Sequence, residues 1–111
     1  MNNEKQQSYI IPEEIWWIYI YLLPKFLTKE GLIISTILEY GGLIKNKADL
    51  KIKLSQNNIN MSYPTFHRFF DNLLLNEFLT KEIINKEVFY VINKKYIEEA
   101  RQYKERIFNK I

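Results

Sequence analysis

The sequence predicts a mainly α domain carrying one small β-hairpin, and three observations predict it. Between Ser62 and Asn93 an apolar stripe of helical period gives way to an alternation of period two. Ahead of that stretch, two apolar segments are punctuated by Pro24 and by Gly41-Gly42. Behind it, a charged segment keeps apolar residues at alternating spacings of four and three. With 111 residues and 47% hydrophobic content, the chain can bury one core, and a single domain is expected.

Residues 1 to 8 are polar and expected to fray. Pro12 suits the first position of a helix, and Glu13 and Glu14 suit the positive end of its dipole. From Ile15 to Leu23 every residue is apolar or aromatic, IWWIYIYLL. A strand competes here because β-branched and aromatic residues dominate; the proline-glutamate start favours a helix over 12–27. A helix apolar on all sides must be covered on all sides. A second helix is expected from Thr28 to Tyr40, with Leu32, Ile33, Ile37 and Tyr40 inward, stopped by Gly41 and Gly42.

Ala48, Leu50, Ile52 and Leu54 then occupy a short segment in which Leu50 and Leu54, at i and i+4, form a buried pair. Ile52 fits that face less well. Residues 57–60, NNIN, make a turn that Ile59 plugs. In the central stretch, Phe66, Phe69, Phe70, Leu73 and Leu74 form the stripe of an amphipathic helix with Ser62 as N-cap and Pro64 in its first turn. Leu79, Ile83, Val88, Tyr90 and Ile92 share one face of a hairpin if Asn85 and Lys86 form its tip. A last helix over 94–111 carries Tyr96, Ala100, Tyr103 and Ile107 as a seam, with Glu98 and Glu99 placed to pair only weakly with Gln102 and Tyr103.

Ser62, Thr65, Phe66, Arg68, Leu73, Phe78 and Leu79 match the pattern small-polar, x, x, Thr, apolar, x, Arg, followed by Leu-x-x-x-Gly-apolar-apolar. Over residues 30 to 93 the chain thereby resembles winged helix-turn-helix DNA-binding domains. Glu77 stands where those domains usually have glycine, so the left-handed helix stop is expected at Asn76 or is absent. The resemblance implies a winged-helix core over 28–93 between extra N-terminal and C-terminal helices. MarR-like and PadR-like regulators share that layout and dimerise through their flanking helices.

On this resemblance the open face of helix 62–76 reads DNA. Arg68 can bind guanine bidentately or clamp a phosphate. Ser62, Tyr63 and Thr65 lie at the end that enters the groove first, although capping and packing explain Thr65 equally well. His67 shares that face, and Asn72, two turns in, suits adenine or a phosphate. Lys45, Lys47, Lys51 and Lys53 run into and along the helix that crosses the phosphate backbone, or else form a solvated face. Lys81 and Lys86 belong to a short wing interleaved with Glu82 and Glu87, which argues against deep insertion. Ile15, Trp16, Trp17 and Ile20, with Tyr96, Ala100, Tyr103 and Ile107, are the expected dimer interface. At consecutive positions beside isoleucines, those tryptophans suit a core or interface better than base stacking.

Composition bounds the rest. Net charge +3 and a pI near 9.0 permit a nucleic-acid partner without demanding one. The excess resides in the last nineteen residues, with six Lys or Arg against three Glu. There is no cysteine, hence no thiolate chemistry, and one histidine without nearby ligands does not make a zinc site. Ser62, His67 and Asp71 do not make a triad: no glycine-rich oxyanion turn accompanies them, and no enzyme activity is expected. Nothing calls for a cofactor or small-molecule ligand. The nine apolar residues from Ile15 fall short of the ~20 that span a bilayer, and MNNEKQQ is no signal peptide. A cytoplasmic protein is expected, and heavy use of Ile, Asn and Lys suits an AT-rich genome such as that of a virus or plasmid. The expected function is sequence-specific binding of double-stranded DNA by a dimeric transcriptional repressor or autoregulator. A winged-helix adaptor between proteins, or an architectural DNA binder, are the alternatives.

Overall fold

The computed structural model describes residues 10, 12–26 and 28–110, with no side-chain detail at Pro12 and Thr28; the fraying expected of residues 1 to 8 lies outside the described residues. Helices α1 (Pro12–Leu22), α2 (Thr28–Glu39), α3 (Lys47–Gln56), α4 (Tyr63–Leu75) and α5 (Lys94–Asn109) surround a sheet of β1 (Leu43–Ile44), β2 (Leu79–Ile84) and β3 (Glu87–Ile92). The apolar N-terminal run is therefore a helix, and a 3₁₀ turn over Leu23–Lys25, with Pro24 inside it, ends it before residue 27.

Two of its sides are covered. Ile18 and Leu22 are buried, Trp17 meets Phe108 of α5 edge-on at 5.5 Å, and Tyr21 meets Tyr103 at 5.7 Å. On the α2 side the Tyr19 hydroxyl donates to the Ser35 carbonyl at 2.9 Å. The third side is bare: Trp16 is 66% exposed. Polar bonds fix the α1–α5 pair. Arg101 donates from Nε and Nη2 to the two Glu14 oxygens at 2.7 and 2.9 Å, and the Tyr21 hydroxyl donates to Glu99 at 2.8 Å. Glu98 and Glu99 thus find stronger partners than expected, Glu98 pairing with Arg101 at 3.3 Å.

The sheet has order β1-β3-β2, all antiparallel. The hairpin register sets Ile83 opposite Val88 and Leu79 opposite Ile92, as expected from an Asn85-Lys86 tip. Both tip residues have positive φ, 52° and 67°, the type I′ geometry that follows the twist of the strands. β1 was not expected. Its two residues pair with Tyr90 and Val91, and the Ile92 N–H donates to the Gly42 carbonyl.

Three helices stop in the same way. The residue after the cap turns left-handed, and the next N–H reaches back to a carbonyl five residues earlier. In α2 the left-handed residue is Gly41 (φ 85°), with Gly42 N–H bonding Ile37; in α3 it is Asn58 (φ 61°), with Ile59 N–H bonding Leu54. In α4 it is Glu77 (φ 63°), with Phe78 N–H bonding Leu73 at 2.9 Å. The expectation of Asn76 or no stop is corrected: Asn76 stays right-handed at φ −88°. What holds Glu77 there is the packing of its half-buried successor. Phe78 packs on Phe26 and Tyr96, and the Asn93 side chain donates to the Glu77 carbonyl at 2.7 Å.

The core joins Ile33, Ile34, Ile37 and Leu38 of α2 to Leu50 and Leu54 of α3, Phe66, Phe70 and Leu73 of α4, and Leu79 and Ile92 of the sheet. Tyr40 is less enclosed than expected, and Lys53 lies 4.6 Å from its ring centre. Ile52, off the Leu50–Leu54 face, is exposed.

A left-handed glutamate is strained by about 1 kcal/mol relative to glycine. Glu77→Gly is expected to raise the melting temperature by a few degrees, and Glu77→Val to lower it. Calorimetry on the two variants checks this, and equal shifts would count against the strain.

The hydrogen bond from Arg101 holds the Glu14 carboxyl below its ordinary value of 4.5, against an opposing push from burial. A carboxyl lowered on folding adds stability above its unfolded value and loses it as the pH falls through the folded one. Glu14→Gln should therefore melt below wild type at pH 7, and the gap should close as the pH drops below about 4.5. Coincident melting curves at pH 7 would remove the contribution.

Candidate nucleic-acid interface

Burial of Phe66, Phe70 and Leu73 decides which way α4 faces. At 100° per residue, the opposite direction falls on Pro64, Arg68 and Leu75, with Asp71 and His67 on one flank and Asn72 and Thr65 on the other. Arg68 is central and exposed, has no ion-pair partner among the described residues, and rests its guanidinium 5.1 Å from the Phe69 ring centre. Tyr63 and His67, one turn apart, stack at 4.5 Å with ring planes 15° apart. The Ser62 hydroxyl is engaged in capping: it accepts from Thr65 N–H and donates to Thr65 Oγ1. Ser62 is thus committed to Thr65, and His67 Nδ1 faces Lys47 Nζ at 3.5 Å.

The lysines expected to touch phosphate divide into two groups. Lys47, at the start of α3, reaches α4: its Nζ donates to Asp71 at 2.9 Å and sits 5.2 Å from the Phe70 ring centre. Lys53 turns the other way, pairing with Asp49 at 2.6 Å over the Tyr40 ring, its side chain only 17% exposed. Lys51, one turn after Lys47 and so on the α4 side of α3, has no ion-pair partner among the described residues. Lys45 pairs with Glu87 at 3.1 Å.

The wing is more ordered in charge than its sequence suggests. Lys81, Ile83, Val88 and Tyr90 share one face, and Glu82 and Glu87 share the other. Tyr90 meets Phe70 of α4 edge-on at 5.1 Å, so the lysine face is the one turned to α4. Both glutamates are occupied on the far face, by Lys94 and Lys45. Lys86 projects at the tip. Ile83 and Val88 lie beyond the core, Ile83 at 75% exposure.

Six of the eight expected interface residues of the flanking helices are wholly or partly covered within one chain. Ala100 is buried, Tyr96 stacks on Phe78, and Ile15, Trp17, Tyr103 and Ile107 are half-buried. Trp16 and Ile20 remain outward and line, with Tyr19, Leu23 and Ser35, an apolar groove of about 400 Å³. Glu14, Arg101 and the Lys47–Asp71 pair were missed by the sequence reading; partners 87 and 24 residues apart leave no local signal. No group of three His, Cys, Asp or Glu that could hold a metal occurs among the described residues, and none of their helices is long and apolar enough to cross a membrane.

Three helices, a three-stranded sheet in which the short strand precedes the helix pair, and a hairpin beyond it make a winged helix-turn-helix, here with α1 and α5 added. Among solved structures the chain is similar to F93 from STIV, described as a winged-helix DNA-binding protein. The match has a TM-score of 0.51 and 18% sequence identity, covering 74% of this chain and 90% of that one. No protein-family profile and no curated protein matches the chain.

Proposed function

We propose that the chain binds double-stranded DNA with α4 in the major groove, and acts as a dimeric transcriptional regulator in the cytoplasm. One observation carries the reading. The outward face of α4 centres on Arg68, an arginine without an ion-pair partner among the described residues, and the wing turns Lys81 to the same side. Arg68 lies on the second turn of the helix, where a long side chain reaches a base edge. Tyr63 and Thr65 enter with the helix start, His67 supports Tyr63 by stacking, and Asn72 lies deeper. Lys51, Lys81 and Lys86 reach phosphates flanking the groove. The DNA-binding description of F93 from STIV supports this use of the fold.

The dimer rests on Trp16 and Ile20. A tryptophan two-thirds exposed beside an apolar groove leaves apolar surface uncovered in one copy. Pairing two copies across α1 covers both, as in the MarR-like and PadR-like layout, and sets two α4 helices one DNA turn apart. The regulator then represses by occupying a promoter.

An adaptor between proteins is the second reading. It is favoured by the internal pairing of Lys45, Lys47 and Lys53, which leaves fewer cations for phosphate.

Arg68→Ala should cost about 1–3 kcal/mol on the preferred site and relax preference at one base pair per half-site. Lys86→Ala should weaken all sequences alike and reduce the salt slope by about one. Titration of genomic fragments at two salt concentrations measures both. Affinity untouched by salt and by Arg68→Ala would hand the site to the adaptor.

Light scattering at micromolar concentration is expected to give twice 13.5 kDa for the wild type. Trp16→Glu should give the single mass, since burying that side chain is worth roughly 1.5–3 kcal/mol per copy. A wild-type monomer would remove the dimer.

A further inference from the structure

Asp71 places a negative charge about 45° from the outermost line of the reading helix, where a DNA-binding face ordinarily avoids one. Its partner is Lys47 of α3, at 2.9 Å, with side chains 60% and 29% exposed. The Lys47 ammonium is shared further: His67 Nδ1 lies 3.5 Å away and the Phe70 ring 5.2 Å. One ammonium therefore holds two residues of α4, a turn apart, from the neighbouring helix. This is the one ion pair that joins α3 to α4 among the described residues.

We infer that Lys47–Asp71 is a discriminating latch and Asp71 a specificity-determining residue; the inference rests on the DNA-binding reading above. While Asp71 holds Lys47, the protein approaching any duplex offers one phosphate-binding cation fewer and presents a carboxylate to the groove, so sequence-independent affinity is low. On the preferred site, a base amino group in the major groove, cytosine N4 or adenine N6, donates to the Asp71 carboxylate. That bond replaces the lysine, and Lys47, already on the backbone-crossing helix, turns to a phosphate. On a duplex lacking the amino group at that position, releasing Lys47 leaves Asp71 unpaired beside the phosphates, and the exchange does not occur. The pair thus lowers affinity for wrong sequences more than for the right one, as like-charge rejection does at other interfaces. An exposed pair suits the task, because such a bridge contributes little to folding and opens readily.

The test uses the full chain and a mixed-sequence duplex, with affinity followed from 50 to 200 mM salt. Asp71→Asn frees Lys47 for phosphate. The salt slope should then steepen by about 0.9, a further ~3.5-fold loss of affinity across that range, and binding at 50 mM should tighten. The preference for the selected site over mixed sequence should shrink. Lys47→Ala with Asp71→Asn should return the slope to that of wild type, and melting temperatures should stay level because both side chains are partly exposed. An unchanged slope and preference in Asp71→Asn, with wild type binding DNA, overturns the latch and leaves the DNA-binding reading standing. A steeper slope retained in the double variant overturns it too, because Asp71 then acts by direct repulsion without Lys47. A wild type without salt-dependent DNA affinity overturns the DNA-binding reading itself.

Discussion

The ring of Phe70 is the contact on which the rest of the structure depends. It is fully buried in α4, tilted against Phe66 at 5.7 Å, edge-on to Tyr90 of the wing at 5.1 Å, and 5.2 Å below the Lys47 ammonium of α3. One side chain thereby fixes the helix, the wing and the preceding helix relative to one another. Because a helix cannot bury two opposite faces in so small a core, seating Phe66, Phe70 and Leu73 inward forces Arg68 outward. Through Tyr90 the same ring turns Lys81 toward α4 and the wing's glutamates away. The outward face of α4 is thus the complement of the core.

What was legible in the sequence follows from that coupling. The period-3.6 stripe of α4, its Ser62 cap and the Asn85-Lys86 tip are local patterns, and each is found where the spacing set it. β1 was illegible because two residues carry no periodicity. Its place is set by Gly41 and Gly42 turning the chain toward β3, where Leu43 pairs with Val91 and Ile44 with Tyr90, partners too far apart in sequence for any short window to contain. Glu77 was misread for a related reason. Propensity favours asparagine or glycine in a left-handed stop, but packing of Phe78 between Phe26 and Tyr96 outweighs a strain of about 1 kcal/mol. Of the candidate site, Arg68 was legible as the residue furthest from the stripe. The commitments of Lys47 to Asp71 and Lys53 to Asp49 were not, since sequence gives the count of cations and not their partners.

The flanking helices show the same limit. Nine apolar residues in a row announce that α1 must be covered, and they do not say by what. α5 and α2 cover two sides through aromatic contacts and the Glu14–Arg101 pair, whose partners lie 87 residues apart. The seam of Tyr96, Ala100, Tyr103 and Ile107, coiled-coil-like in spacing, is largely spent within the chain. Only the Trp16–Ile20 side is left for anything else.

Under the proposed function, that exposed surface bears on how a chain of net charge +3 would hold DNA. With Lys47 and Lys53 committed internally, the cations on the reading side are Lys51, Arg68, Lys81 and Lys86. With Arg68 on a base edge, three lysines are left for phosphate, and each phosphate neutralised contributes roughly 0.9 to the salt slope, so one copy reaches only about 2.7. Two copies double this to about 5.4, at the low end of proteins making 6–10 phosphate contacts. Freeing Lys47 in both copies adds two contacts more, on the preferred sequence alone. The two proposals, pairing across α1 and exchange at Asp71, would thus be complementary: the first would supply enough contacts to bind, and the second would reserve the last of them for the right site.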